Sequence, residues 1–175
     1  MGDRMLISFS GHPGAGKSTT ARELARQMNA VYLSIDSIER GVAGYPDAYR
    51  VAQAVADDNL RLGHTVITDC VNAMRQSRDA WRAIATAAGV PTLEVEVTCS
   101  DRDEHLRRLL RAAARREGEP LTRSEEIIHH YQPWDRERVV IDTATTGVEE
   151  AVAKIREAIP SSPQLPSQAV DRHRS

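Results

Sequence analysis

The chain has 175 residues, 41% of them hydrophobic and 27% charged, which suits one globular domain with a core of its own. A net charge of −2 provides no field to gather nucleic acid, and an aromatic content of 4% leaves little surface for stacking unpaired bases. No apolar run reaches the length of a membrane span or a signal core, and Cys70 and Cys99, without metal-like spacing, fit buried thiols in a reducing cytoplasm.

Taken in chain order, short apolar runs alternate with helical patterns, the signature of an α/β fold with a parallel sheet. Met5–Ser10 reads as the first strand, followed by a glycine-rich turn and a helix from about Ser18 to Met28. Val31–Ile35 is the second strand. Irregular sequence through Gly41, Tyr45 and Pro46 leads to a helix over about Ala48–Leu62, stopped at Gly63. Thr65–Thr68 is strand three, with a helix over about Ser77–Ala88 behind it, and Thr92–Thr98 is strand four. Asp101–Arg116 is a long amphipathic helix on which Leu106, Leu109, Leu110 and Ala113 are expected to face the core. A break at Arg116–Pro120 precedes a short helix over Ser124–Tyr131, a fifth strand over Val139–Ile141 and a closing helix over Glu149–Ile159. The Pro-, Ser- and Gln-rich stretch 160–175 reads as a disordered tail after a single domain over 1–159. His129 and His130 are adjacent and cannot share a helix face, so they argue against a zinc site.

The chemistry starts at Gly11-His12-Pro13-Gly14-Ala15-Gly16-Lys17-Ser18, which matches G-x-x-x-x-G-K-[ST] between a strand and a helix. Glycines in such a loop let backbone N–H groups turn toward a phosphate, and the helix N-terminus adds partial positive charge. Residues 11 to 19, Thr19 included, are therefore expected to cradle a nucleoside triphosphate, with Lys17 on the outer phosphates and Ser18 on Mg²⁺.

Three apolar runs end in a carboxylate, at Asp36, Asp69 and Asp142. In open α/β sheets, ligands bind beyond the carboxyl ends of the strands, so all three face the right edge. Asp69 is placed to orient the Mg²⁺ shell or touch substrate, while Asp142 reads as structural, on the adenine side. Arg40, Asn72, Arg75 and Arg78 are candidates for the acceptor pocket. Arg107, Arg111 and Arg115 recur at four-residue spacing and form one stripe of the long helix. Charge spread over a transferring phosphoryl group rewards such a cation, which makes Arg111 and Arg115 candidate catalytic groups of a lid over about 107–131.

With the phosphate loop, Asp36, Gly63-His-Thr-Val-Ile-Thr-Asp69 and the arginine helix in view, the chain resembles the compact P-loop kinases related to chloramphenicol phosphotransferase, zeta toxins, gluconate and shikimate kinases, and polynucleotide kinase. The likeness runs from about Met5 to Ile159. It implies a three-layer α/β/α P-loop NTPase fold with a five-stranded parallel sheet of order 2-3-1-4-5 and a short helical lid. ATP as donor, Mg²⁺ as cofactor and Asp36 as base toward a small-molecule alcohol are implied with it. The paired acids of shikimate kinases, separated by one residue, are absent: Ser34 precedes Ile35 and Asp36. The guanine-reading N-K-x-D of signalling GTPases and the L-S-G-G-Q of transporter ATPases are absent too. Two rivals stand beside the small-molecule kinase: a polynucleotide or RNA 5′-hydroxyl kinase, and a nucleotide-binding regulator with slow hydrolysis.

Overall fold

The structure is a computed structural model describing residues 4–42, 45–115 and 126–160, apart from the side chains of Tyr45, Pro46, Ala113 and Arg115. Its elements are β1 (Leu6–Ser10), α1 (Lys17–Met28), β2 (Val31–Ser34), α2 (Ile35–Glu39), α3 (Tyr45–Arg61), β3 (Val66–Asp69), α4 (Arg75–Ala87), β4 (Thr92–Thr98), α5 (Arg102–Arg115), β5 (Val139–Asp142) and α6 (Val148–Glu157). A further helical turn stands at 126–129.

The five strands form one parallel sheet in the order β2-β3-β1-β4-β5. Alternation along β1 sends Ile7 and Phe9 to one face and Leu6 to the other, so each face carries its own core. On the first face, Ala21 and Leu24 of α1 and Ala151, Val152 and Ile155 of α6 close over Phe9, Ile67, Val97 and Ile141. On the second, Ala52, Ala56 and Leu60 of α3 and Trp81 and Ala85 of α4 close over Leu6 and Val66. That gives three layers. Because β1 lies between β3 and β4 and the chain order reverses there, the crevice for a ligand opens beyond its C-terminal end.

Two expectations need correction. Strand β2 ends at Ser34, and residues 35–39 form a short helix that periodicity alone did not reveal. Ser34 Oγ caps it by accepting from the Ser37 amide at 3.3 Å, and Ile35 is buried in the second core. So few residues have too little propensity to hold a helix alone; the cap and the packing do it. Helix α5 is also turned differently. Leu106 and Leu110 are 54% and 47% exposed, because α5 lies over the polar phosphate loop rather than the apolar core. Residues 116–125 of the expected lid, Ala43 and Gly44, and the tail from 161 onward lie outside the described residues. Cys70 is buried, and that burial pushes its thiol up to about 12, whereas Cys99 is only half-buried.

Candidate active site

The phosphate loop leaves β1 at Gly11, whose amide donates to the Val71 carbonyl at 3.1 Å, and enters α1 through Gly16 in the left-handed conformation. Lys17 is buried and its Nζ donates to the His12 carbonyl at 2.9 Å, which places the ammonium inside the curl of the loop. The loop is gripped from outside by two other elements. His105 Nε2 lies 2.7 Å from the Pro13 carbonyl, and a methyl group on Gly14 would meet the Leu109 side chain at 3.1 Å. Thr143 Oγ1 lies 2.7 Å from the Ala15 carbonyl and accepts from Arg108 Nη1 at 2.8 Å. His105, Arg108 and Leu109 therefore form the inner face of α5.

The stripe singled out in the sequence lies elsewhere. Arg107 pairs with Glu104 at 3.0 Å, Arg111 is exposed, and the Arg115 side chain lies outside the described residues. Among the described side chains, Arg108, which lies outside that stripe, is the arginine of α5 that reaches the loop's support at Thr143. His12 packs edge-on against Tyr131 at 4.6 Å between ring centroids, and lies 6.2 Å from His105. Burial, helped by the charges of His105 and Lys17, lowers the His12 pKa.

The three aspartates occupy three environments. Asp36 stands exposed in the first turn of α2, two residues past the end of β2 rather than at a strand end as the sequence placed it. Arg40, at the other end of α2, turns back to donate to Ser37 Oγ at 3.0 Å. Asp69 ends β3, is buried, and pairs in register with Phe9 of β1 and Ser34 of β2. Asp142 accepts from the amides of Ser100 and Ala144, both at 3.0 Å, and the Ser100 bonds hold its carboxyl below the usual range.

Asn72 and Arg78 are corrected from pocket residues to internal ties. Asn72 is buried; its Nδ2 donates to Ser8 Oγ, the Phe9 carbonyl and Ser10 Oγ at 3.2–3.3 Å, and Oδ1 accepts from Trp81 Nε1 at 3.2 Å. Both N–H groups and one lone pair of the amide oxygen are thus engaged inside the fold, and burial keeps the side chain from a ligand at the surface. Arg78 is 1% exposed and spreads its guanidinium over the carbonyls of Asn72, Ala73, Gln132 and Pro133. Trp134 lies against it, with the guanidinium carbon 4.4 Å from the ring centroid. Arg78 therefore fastens the return from the lid region to the exit of β3. Arg78→Met is expected to leave several carbonyls without a donor and to cost about 3 kcal/mol. A urea unfolding midpoint unchanged from the parent chain would show that water replaces those bonds at no cost.

Arg75 remains at the surface. It pairs with Asp135 at 3.1 Å beside an open groove of about 720 Å³ shared with Met74, Gln76, Asp79, Pro133 and Trp134. Sequence reasoning missed His105, Arg108, Tyr131 and Thr143. Only the polar run Asp142–Thr146, directly after a strand, hinted at the last of them.

Among the described residues, no three His, Cys, Asp or Glu side chains cluster as a metal cage. Ser18 and Asp69 are hard oxygen donors of the kind that hold Mg²⁺ together with substrate phosphates rather than in a dedicated cage, so the donor set fits that ion.

Fold and loop together define a small P-loop kinase. An AAA domain family model matches residues 6–134, more than half of the chain, and the chain belongs to that family. It is 30% identical over 131 residues to a shikimate kinase of Corynebacterium efficiens, a match covering 61% of this chain and 78% of that protein. Among solved structures it is similar to Kti12 of Chaetomium thermophilum in complex with ADP-AlF3, with TM-score 0.70, 20% identity, and coverage of 89% of this chain and 100% of that one. It is similar also to the APS kinase CysC of Mycobacterium tuberculosis in complex with AMPPNP and APS, with TM-score 0.66, 20% identity, and coverage of 90% and 98%. Among the described residues, no helix is long and apolar enough to cross a membrane.

Proposed function

We propose that the chain transfers the γ-phosphoryl group of ATP to a hydroxyl group of a small molecule, with Mg²⁺ as cofactor. The observation that carries this reading is the contrast between two acids, one in the helix that follows β2 and one at the end of β3. Asp36 is exposed on α2, where an acceptor can reach it, and Asp69 is buried beside β1. A base must meet the acceptor's proton directly, whereas a carboxylate serving a metal shell works from a fixed, partly dry position.

In this mechanism the loop residues 11–19 bind the phosphates, Lys17 bears on the outer ones, and Ser18 and Asp69 hold the metal. Bound Mg²⁺ supplies charge neutralisation on the phosphate oxygens. Asp36 accepts the acceptor's proton as its oxygen attacks. Arg40 and Arg75 border the acceptor, and Arg111 and Arg115 belong to the arm that closes over it. The curated relative named a shikimate kinase supports a small alcohol as acceptor. Asp36 has Ser34, not a second acid, two residues before it, which argues against shikimate itself.

The test is ADP release from ATP·Mg²⁺ against aminoglycosides, chloramphenicol-like drugs, sugars, nucleosides and 5′-hydroxyl oligonucleotides. A large acceleration by one small alcohol is expected. Acceleration by oligonucleotides alone would make the chain a polynucleotide kinase. Tight ATP binding with no accelerating acceptor would make it a nucleotide-dependent regulator.

A further inference from the structure

Tyr32 lies in β2, outside every motif used above, yet its hydroxyl donates to Asp69 Oδ2 at 2.6 Å. The ring is fixed from the other side: the Arg22 guanidinium carbon lies 5.6 Å from its centroid. Arg22 and Ser18 are four residues apart on α1 and so share one helix face. The stripe that covers Tyr32 through Arg22 therefore continues, one turn or about 5.4 Å further along, to Ser18. That turn lies toward the strand ends, where Asp69 closes β3. Asp69 is itself 5% exposed, and a buried carboxylate needs a partner to hold its charge in place.

We propose that Tyr32 is a positioning residue for the metal shell. Its hydroxyl holds one oxygen of Asp69, which leaves the other turned toward the ion beside Ser18. The inference rests on the reading of Asp69 as a metal-shell carboxylate given above. A tie that only joined β2 to β3 would leave metal affinity untouched when the hydroxyl is removed. A positioning tie lowers metal affinity while leaving nucleotide affinity in EDTA as it was.

The experiment is Mn²⁺ binding to the ADP complex, followed by electron paramagnetic resonance, in the parent chain, Tyr32→Phe and Asp69→Asn. Tyr32→Phe keeps the ring under Arg22 and is expected to weaken Mn²⁺ binding about 10-fold, with ADP affinity in EDTA unchanged. If Asp69→Asn weakens Mn²⁺ binding and Tyr32→Phe changes it by less than about twofold, the role of Tyr32 is overturned and the reading of Asp69 stands. If neither substitution changes it, the reading of Asp69 fails and the inference fails with it. A measurement on the unaltered chain covers the case of a variant that does not fold. Adding Mg²⁺ to the ADP complex is expected to shift the Tyr32 ring resonances, and an unmoved ring overturns the proposal.

Discussion

Replacing Lys17 with methionine is expected to lower phosphoryl transfer by about 10³-fold, while Asp36→Ala lowers it by about 10²- to 10⁴-fold through a different step. The two substitutions separate by what they spare. The Lys17 ammonium is buried within the loop and fixed on the His12 carbonyl, so its loss removes positive charge where the outer phosphates would lie. ATP binding and any acceptor-independent hydrolysis fall together with transfer. Asp36 is exposed on α2, outside the loop, and its loss removes the proposed proton acceptor while leaving the phosphate loop in place. Equilibrium binding of a fluorescent ATP analogue is therefore expected to weaken in Lys17→Met and to match the parent chain in Asp36→Ala. Steady-state ADP release with the accelerating acceptor then reports transfer. An Asp36→Ala variant with normal transfer would remove Asp36 as the base and leave the kinase reading to stand on the loop alone.

The frame of this molecule was legible in its sequence wherever one physical signal dominated. Strand β4 runs over Thr92–Thr98, as its apolar content indicated, and the sheet order follows the α/β alternation and the family likeness. The phosphate loop was legible because its glycines and Lys17 serve local backbone geometry. Legibility failed where side chains answer to distant partners. Asn72 and Arg78 read in sequence as candidates for the acceptor pocket, but one is engaged by Ser8, Ser10 and Trp81 and the other by four carbonyls. Helix α5 was read with its leucines inward, on the rule that apolar side chains seek a core. Its actual neighbour is a polar loop, and the residues chosen for that contact are His105, Arg108 and Leu109. Periodicity finds a helix's apolar stripe but cannot say which side of the helix meets another element.

Gly11→Ala is expected to cost about 3 kcal/mol, or roughly 10 °C in Tm for a chain of this size, and to abolish nucleotide binding with it. Gly11 has φ +138, a conformation that alanine adopts only under strain, and its new methyl carbon would stand 2.1 Å from the Val97 carbonyl oxygen. That oxygen belongs to the backbone of β4, which is paired with β1 on one side and β5 on the other, so it cannot give way cheaply. Gly63 supplies the control. Its φ is +95, but nothing lies within 4 Å of an added methyl, so Gly63→Ala carries backbone strain alone, about 1 kcal/mol. Differential scanning calorimetry of the two variants separates overlap from strain. A Gly11→Ala chain that melts with Gly63→Ala would mean that the exit of β1 can shift away from Val97. The loop position would then tolerate a side chain, and the rigidity argued for the phosphate site would have to come from the contacts of Thr143 and His105 instead.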